Sequence, residues 1–171
     1  MNSTLVFTFI GADRPGLIER LADVVGQHGG NWLESRMVQL AGQFAGIARV
    51  ELATEKVDSL STALNALGSS GLVVHLQPGS HSQTSAPETL SLHVLGPDRQ
   101  GIVREISRAL VQRNINVREM SSNVTSAPMS GEPLFEAHIT IEVPQRAELD
   151  DLFDQLDDIA EKLDIDIDAV S

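Results

Sequence analysis

The turn Gly11-Ala12-Asp13-Arg14-Pro15-Gly16 returns 85 positions later as Gly96-Pro97-Asp98-Arg99-Gln100-Gly101. Each copy follows a short run of β-patterned residues and opens an amphipathic run of helical period. Between Gly11–Glu34 and Gly96–Glu119, seven of 24 positions are identical, and four of the seven lie in the turn. The chain is therefore two copies of one unit. A turn of this kind aims free helix N-terminal N–H groups at whatever sits beside it.

The elements around the turn follow in the same order in both copies. Residues 4–10 read as a strand, with Leu5, Phe7 and Phe9 on one face and Val6, Thr8 and Ile10 on the other. Leu17, Ile18, Leu21, Val24 and Val25 then recur at helical spacing; Pro15 suits the first helical turn, and Gly29-Gly30 stops the helix. Strands are expected over Trp32–Leu40 and Gln43–Leu52 about an Ala41-Gly42 turn, a helix over Val57–Leu67 and a strand over Leu72–Leu76. The second copy predicts a strand over Leu90–Leu95, a helix over Ile102–Arg113 ending near a left-handed Asn114, and strands over Asn116–Thr125 and Leu134–Val143. A helix over Ala147–Leu163 and a strand over Ile165–Val170 complete it. Its hairpin loop, Ser126–Pro133, is six residues longer than its counterpart; an offset of 91 aligns Phe44 with Phe135 and Glu51 with Glu142.

Two βαββαβ units, each with two helices over one face of an antiparallel sheet, give an α+β fold of tandem ferredoxin-like domains. The expected division is 1–78, a Ser/Pro/Gly/His-rich linker at 79–88 that contains His81, and 89–171. A two-helix layer leaves the other sheet face or the edge strands needing cover, which two units in one chain can supply to each other.

Composition excludes several functions. Without cysteine there is no disulfide framework, thiolate zinc site or catalytic thiol, as suits a reducing cytosol. The N-terminus shows no signal-peptide pattern and no apolar run is long enough to span a membrane, so a soluble, cytoplasmic protein is expected. The formal net charge of −12 is uneven: residues 1–80 carry −2 and residues 81–171 carry −10, with ten acids between Glu148 and Asp168 against Lys162. Such a balance repels nucleic acid, whose affinity rests on Lys and Arg neutralising phosphates. The acidic run reads as a solvated helix face with a polar strand edge, or as a docking surface for a basic partner.

No catalytic or metal constellation is visible, and no cofactor is expected. His28, His75, His81, His93 and His138 are scattered without ligand spacing, and His93 and His138 each read as a lone strand histidine. There is no nucleophile elbow, P-loop or dinucleotide fingerprint. Asp13 and Asp98 read as helix-entry residues whose side chains accept backbone N–H bonds. Arg14 and Arg99 sit where a helix dipole prefers anions, which suggests pairing with an acid or holding a carboxylate. Gly16 and Gly101 would let a backbone or ligand approach closely. Asn31 and Asn116, entering the second strand of each unit, either bridge to the turn or shape a loop.

With Gly-x-Asp-Arg-x-Gly-hydrophobic-hydrophobic between first strand and first helix, and Asn31 and Asn116 leading the second strand, the chain resembles tandem ACT domains over about 4–76 and 90–170. Among these it is most similar to the glycine cleavage system transcriptional repressor family. That resemblance implies a cytoplasmic, non-enzymatic regulator that responds to glycine or a related metabolite and acts through a DNA-binding transcriptional activator protein, without direct nucleic-acid contact; it also allows a homodimer. The ligand region implied is Asp13, Arg14, Pro15, Gly16, Leu17, Ile18 and Asn31, with Asp98, Arg99, Gln100, Gly101, Ile102, Val103 and Asn116. Gln100 departs from the family's proline, so the two sites need not bind the same molecule.

Other functions fit the same topology. An acylphosphatase-like enzyme needs a phosphate cradle with an Arg and an Asn, which Arg14 and Asn31 could imitate, although Asp13 adjoins the arginine. An amino-acid-binding regulatory subunit of a metabolic enzyme would share the turn. An RNA-binding sheet needs exposed aromatics and a basic surface; Phe7 and Phe9 share a face, but the charge opposes it.

Overall fold

The computed structural model describes residues 1–79, 88–143 and 149–170. Most of the expected linker, including His81, therefore lies outside the described residues, as do Ala147 and Glu148 at the expected start of the last helix. The chain divides into two compact units, Met1–Gln83 and Thr84–Ser171.

The first unit runs β1 (Asn2–Ala12), α1 (Leu17–Gln27), β2 (Asn31–Leu40), β3 (Gln43–Ala53), α2 (Val57–Ala66) and β4 (Val73–Pro78). Short 3₁₀ turns at Thr54–Lys56 and Leu67–Ser70 flank α2. The second runs β5 (Glu88–Pro97), α3 (Ile102–Gln112), β6 (Asn116–Ser126), β7 (Pro133–Val143), α4 (Leu149–Leu163) and β8 (Asp166–Val170). Sheet orders are β2-β3-β1-β4 and β6-β7-β5-β8, with every pairing antiparallel. This is the expected pair of ferredoxin-like βαββαβ units.

The registers repeat as closely as the elements. Gly11 lies opposite Phe44 and Gly96 opposite Phe135; Asn31 lies opposite Glu51 and Asn116 opposite Glu142. Both second strands carry an irregularity at the same place, between Trp32 and Glu34 and between Val117 and Glu119. The hairpins are where the copies part. Ala41 (φ 49°) and Gly42 (φ 78°) join β2 to β3 as a two-residue turn with both central φ positive, the type I′ geometry that matches strand twist. In the second unit the ladder extends to Ser126 opposite Pro133, and the intervening loop is closed by Ala127 N–H donating to Glu132 C=O at 2.8 Å.

Strand alternation decides what is buried. Leu5, Phe7 and Phe9 of β1 face inward with Ala48, Val50 and Leu52 of β3, against Leu17, Leu21 and Val25 of α1 and Leu60 and Leu64 of α2. Phe7 packs edge-on against Trp32, centroids 5.6 Å apart, and Phe9 tilts against Phe44. In the second unit, aliphatic residues fill the same space: Leu92, Val94, Ile139 and Ile141 meet Ile106, Leu110, Leu152 and Leu156. Each such side chain contributes about 1.5–3 kcal/mol of transfer free energy on burial. Phe7 and Phe9 are core residues, so neither offers a stacking surface for RNA bases.

The outer sheet faces have diverged. Across the first, Val38, Ala45, Ile10 and Val73 form one cross-strand row. The corresponding row of the second is Asn123, Glu136, Leu95 and Asp166, and the next is Ser121, His138, His93 and Asp168. At this level of the sheet the fold carries an apolar row in one copy and polar, acidic rows in the other.

Candidate functional site

The duplicated turn is built the same way in both units. Asp13 N–H donates to Gly42 C=O and Asp98 N–H to Pro133 C=O, each at 2.9 Å, tying the turn to the β2–β3 or β6–β7 hairpin. The residue that starts each helix is glycine: Gly16 (φ 86°) before α1 and Gly101 (φ 104°) before α3, both left-handed. Their carbonyls accept the first intrahelical bonds, from Arg20 N–H and Glu105 N–H. Pro15 consequently belongs to the turn and not to the first helical turn expected for it. Neither helix start has a side-chain cap hydrogen bond, so the capping role expected of Asp13 and Asp98 is replaced by a backbone tether. The glycines serve the backbone angle; a Cβ on Gly16 would meet nothing closer than Glu19 Oε2 at 3.8 Å.

Close approach is required one step earlier. A Cβ on Gly11 would lie 3.0 Å from the Gly71 carbonyl oxygen, and one on Gly96 would lie 2.6 Å from Ile165 Cγ2 and 2.7 Å from Ile165 Cα. The last strand enters beneath the turn in both copies, and only glycine leaves room for it.

In the first unit an open concavity of about 390 Å³ is lined by Asp13, Arg14, Pro15, Gly16, Leu17, Ile18, Glu19 and Phe44. A second, of about 120 Å³, lies under the turn between Gly11, Ala12, Arg14, Pro15, Leu17, Arg20, Ser70 and Gly71. Arg14 lines both. The amides of Leu17, Ile18 and Glu19 precede the first intrahelical bond and are the donors left for a ligand. Leu17 and its equivalent Ile102 are buried core anchors. Ile18, expected on the apolar helix face, is instead exposed, as is its equivalent Val103.

Arg14 and Arg99 differ in what surrounds them. Arg99 Nη2 donates to Asp164 Oδ2 at 3.1 Å. Gly71, which faces Gly11 as the residues around Ile165 face Gly96, takes the place of Asp164 in the first unit, and Arg20 takes the place of Glu105. Among the described residues Arg14 forms no ion pair. The first turn thus brings together two arginines and an uncapped helix start, where the second is neutralised from within.

Asn31 and Asn116 are not part of this cluster. Asn31 pairs with Glu51, which pairs with Thr4, whereas the turn leaves β1 beyond Gly11. Seven residues of strand separate the two levels, about 23 Å at the usual rise. Asn116 instead donates to Glu142 Oε2 at 3.2 Å. Within one unit these asparagines close the far end of the sheet, and neither bridges to the turn.

Two family models of the ACT domain match the chain, one over residues 3–75 and one over residues 88–165. The chain is a tandem ACT-domain protein. Its fold is similar to the crystal structure of a protein of unknown function from Galdieria sulphuraria, with a TM-score of 0.84 and 26% identity over 99% of this chain and 98% of that one. It is also similar to a proposed glycine cleavage system transcriptional repressor, with a TM-score of 0.73 and 23% identity over 99% of this chain and 97% of that one. No curated protein matches this tandem ACT-domain chain in sequence. Among its described residues no helix is long and apolar enough to cross a membrane.

Proposed function

We propose that this tandem ACT-domain protein is a non-enzymatic regulator that senses a small amino acid at the first duplicated turn. The observation that carries the reading is Arg14. It lines both concavities beside the free amides of α1, and it lacks the acidic partner that Asp164 gives Arg99. A ligand carboxylate would take that place, held by Arg14 and the helix N-terminus, with Asp13 or Glu19 within reach of its ammonium group. The small volume beneath the turn favours a ligand the size of glycine over a bulky amino acid. The second turn, Asp98 to Val103 with Gln100, serves as a structural or weaker site because its arginine is already paired.

The target we infer is the glycine cleavage genes, repressed by contact with a DNA-bound activator. The whole-length fold likeness to a proposed repressor of that system supports this, and so does a net charge of −12, which favours acting through protein and not through DNA. Calorimetric titration of the full chain with glycine and with larger amino acids tests the sensing function. Binding at one site that weakens with side-chain size supports it; no heat at millimolar glycine overturns it. Capture of a DNA-binding activator from native lysate, with and without glycine, tests the target separately.

A further inference from the structure

The outer face of the second sheet carries a cluster that the duplicated turn does not use. His93 on β5 lies directly opposite His138 on β7, and Glu136 precedes His138 by two residues, which puts all three side chains on one face. Glu136 Oε1 lies 3.1 Å from His93 Nε2 and 3.7 Å from His138 Nε2. The imidazoles stack, with centroids 4.6 Å apart and planes 22° from parallel, and one ligand atom from each of the three residues falls within 4.8 Å of the others.

We propose that His93, Glu136 and His138 form a divalent-cation site of the kind that takes Zn²⁺. Two imidazole nitrogens and a carboxylate oxygen are a borderline-hard donor set that suits zinc. Tetrahedral zinc with bonds near 2.0–2.1 Å holds neighbouring donor atoms about 3.3 Å apart. The two nitrogen–oxygen distances bracket that value, and the His138 ring reaches a shared cation by turning out of the stack. His138 is the most open of the three, its side chain 66% exposed against 26% for His93 and 33% for Glu136, and it is free to make that movement.

Charge points the same way. The two cross-strand rows around the cluster contain Glu136, Asp166 and Asp168 and no lysine or arginine. Asp168 stands opposite His93 on the other side of β5 and adds negative charge beside the cluster. A plain histidine–glutamate hydrogen bond accounts for His93, but it leaves His138 stacked with its Nε2 turned toward the same oxygen. A shared cation gives both imidazoles a partner, with the stack opening as it binds. The first unit provides an internal comparison, because Thr8, Ala45 and Ile47 occupy the places of His93, Glu136 and His138 and offer no such set.

The test is titration of the full chain, freed of metal by a chelator, with Zn²⁺ against a chromogenic competitor, followed by Co²⁺ absorption spectra. One equivalent of Zn²⁺ is expected to bind, with affinity at least about tenfold lower in the His93→Ala, His138→Ala double variant, since loss of even an outer-shell partner typically costs that much. Glu136→Gln, nearly isosteric and harmless to the fold, is expected to weaken binding by a similar factor. His75→Ala, on the first unit's sheet, is expected to leave it unchanged. Tight binding that survives in both the double variant and Glu136→Gln, or no binding above the competitor blank in the unaltered chain, overturns the proposal.

Discussion

The guanidinium of Arg99 reaches the carboxylate of Asp164 at 3.1 Å, while Arg14, its counterpart, faces Gly71. Gly71 (φ 85°) and Asp164 (φ 56°) share the left-handed backbone, so the two copies keep the same bend and differ in the side chain placed on it. That single difference separates a turn with a spare cation from one that has neutralised its own. The Arg99–Asp164 pair is itself well exposed and adds no more than about 1 kcal/mol to stability. Its consequence is for binding.

Gly71→Asp should therefore convert the first turn into a copy of the second. Glycine binding is expected to weaken by about two- to fivefold, since an exposed ion pair of this kind is worth up to about 1 kcal/mol. The strain of a non-glycine residue at this φ is about 1–2 kcal/mol, so the fold should persist. Calorimetry on the variant, paired with a thermal melt, checks both parts.

Gly16→Ala and Gly101→Ala should each destabilise their unit by about 1–2 kcal/mol, because both positions have positive φ and open space around the missing Cβ. Gly96→Ala should cost about 1–3 kcal/mol for a different reason: its Cβ would overlap Ile165 at 2.6 Å. Urea denaturation of the three variants measures these costs.

Asn31→Ala should leave amino-acid binding unchanged within error while Arg14→Ala abolishes it. The register places Asn31 beside Glu51, about 23 Å along the sheet from the turn. A tenfold loss on Asn31→Ala in calorimetry would return that residue to the site.

Most of the fold was legible in the repeat. The offsets of 85 and 91 that align the copies also place Gly11 opposite Phe44 and Gly96 opposite Phe135, as the ladders show. Alternation along β1 separated Leu5, Phe7 and Phe9 from Val6, Thr8 and Ile10 for the same reason: a half-buried strand has period two. What escaped depended on non-local placement. Asp13 is a common capping type just ahead of a helix, yet the tether to the Gly42 carbonyl pulls its backbone away and leaves Gly16 at the cap. Asn31 sits near the turn in motif but at the opposite end of the sheet in space. His93 and His138 each looked solitary; only the β5–β7 register puts them face to face. The alignment held that signal, since it maps them to Thr8 and Ile47, two residues that also pair. The partner of Arg99 was invisible because Asp164 lies 65 positions away.

The central claim is that an amino-acid carboxylate binds at the first turn and not elsewhere. Amide ¹⁵N–¹H spectra of the full chain, titrated with glycine, test it most directly. Saturable shifts should concentrate on Gly11 to Arg20 with Ser70 and Gly71, leave Asn31 and Glu51 unmoved, and disappear in Arg14→Ala. Shifts centred on any other region, or none at millimolar glycine, would contradict it.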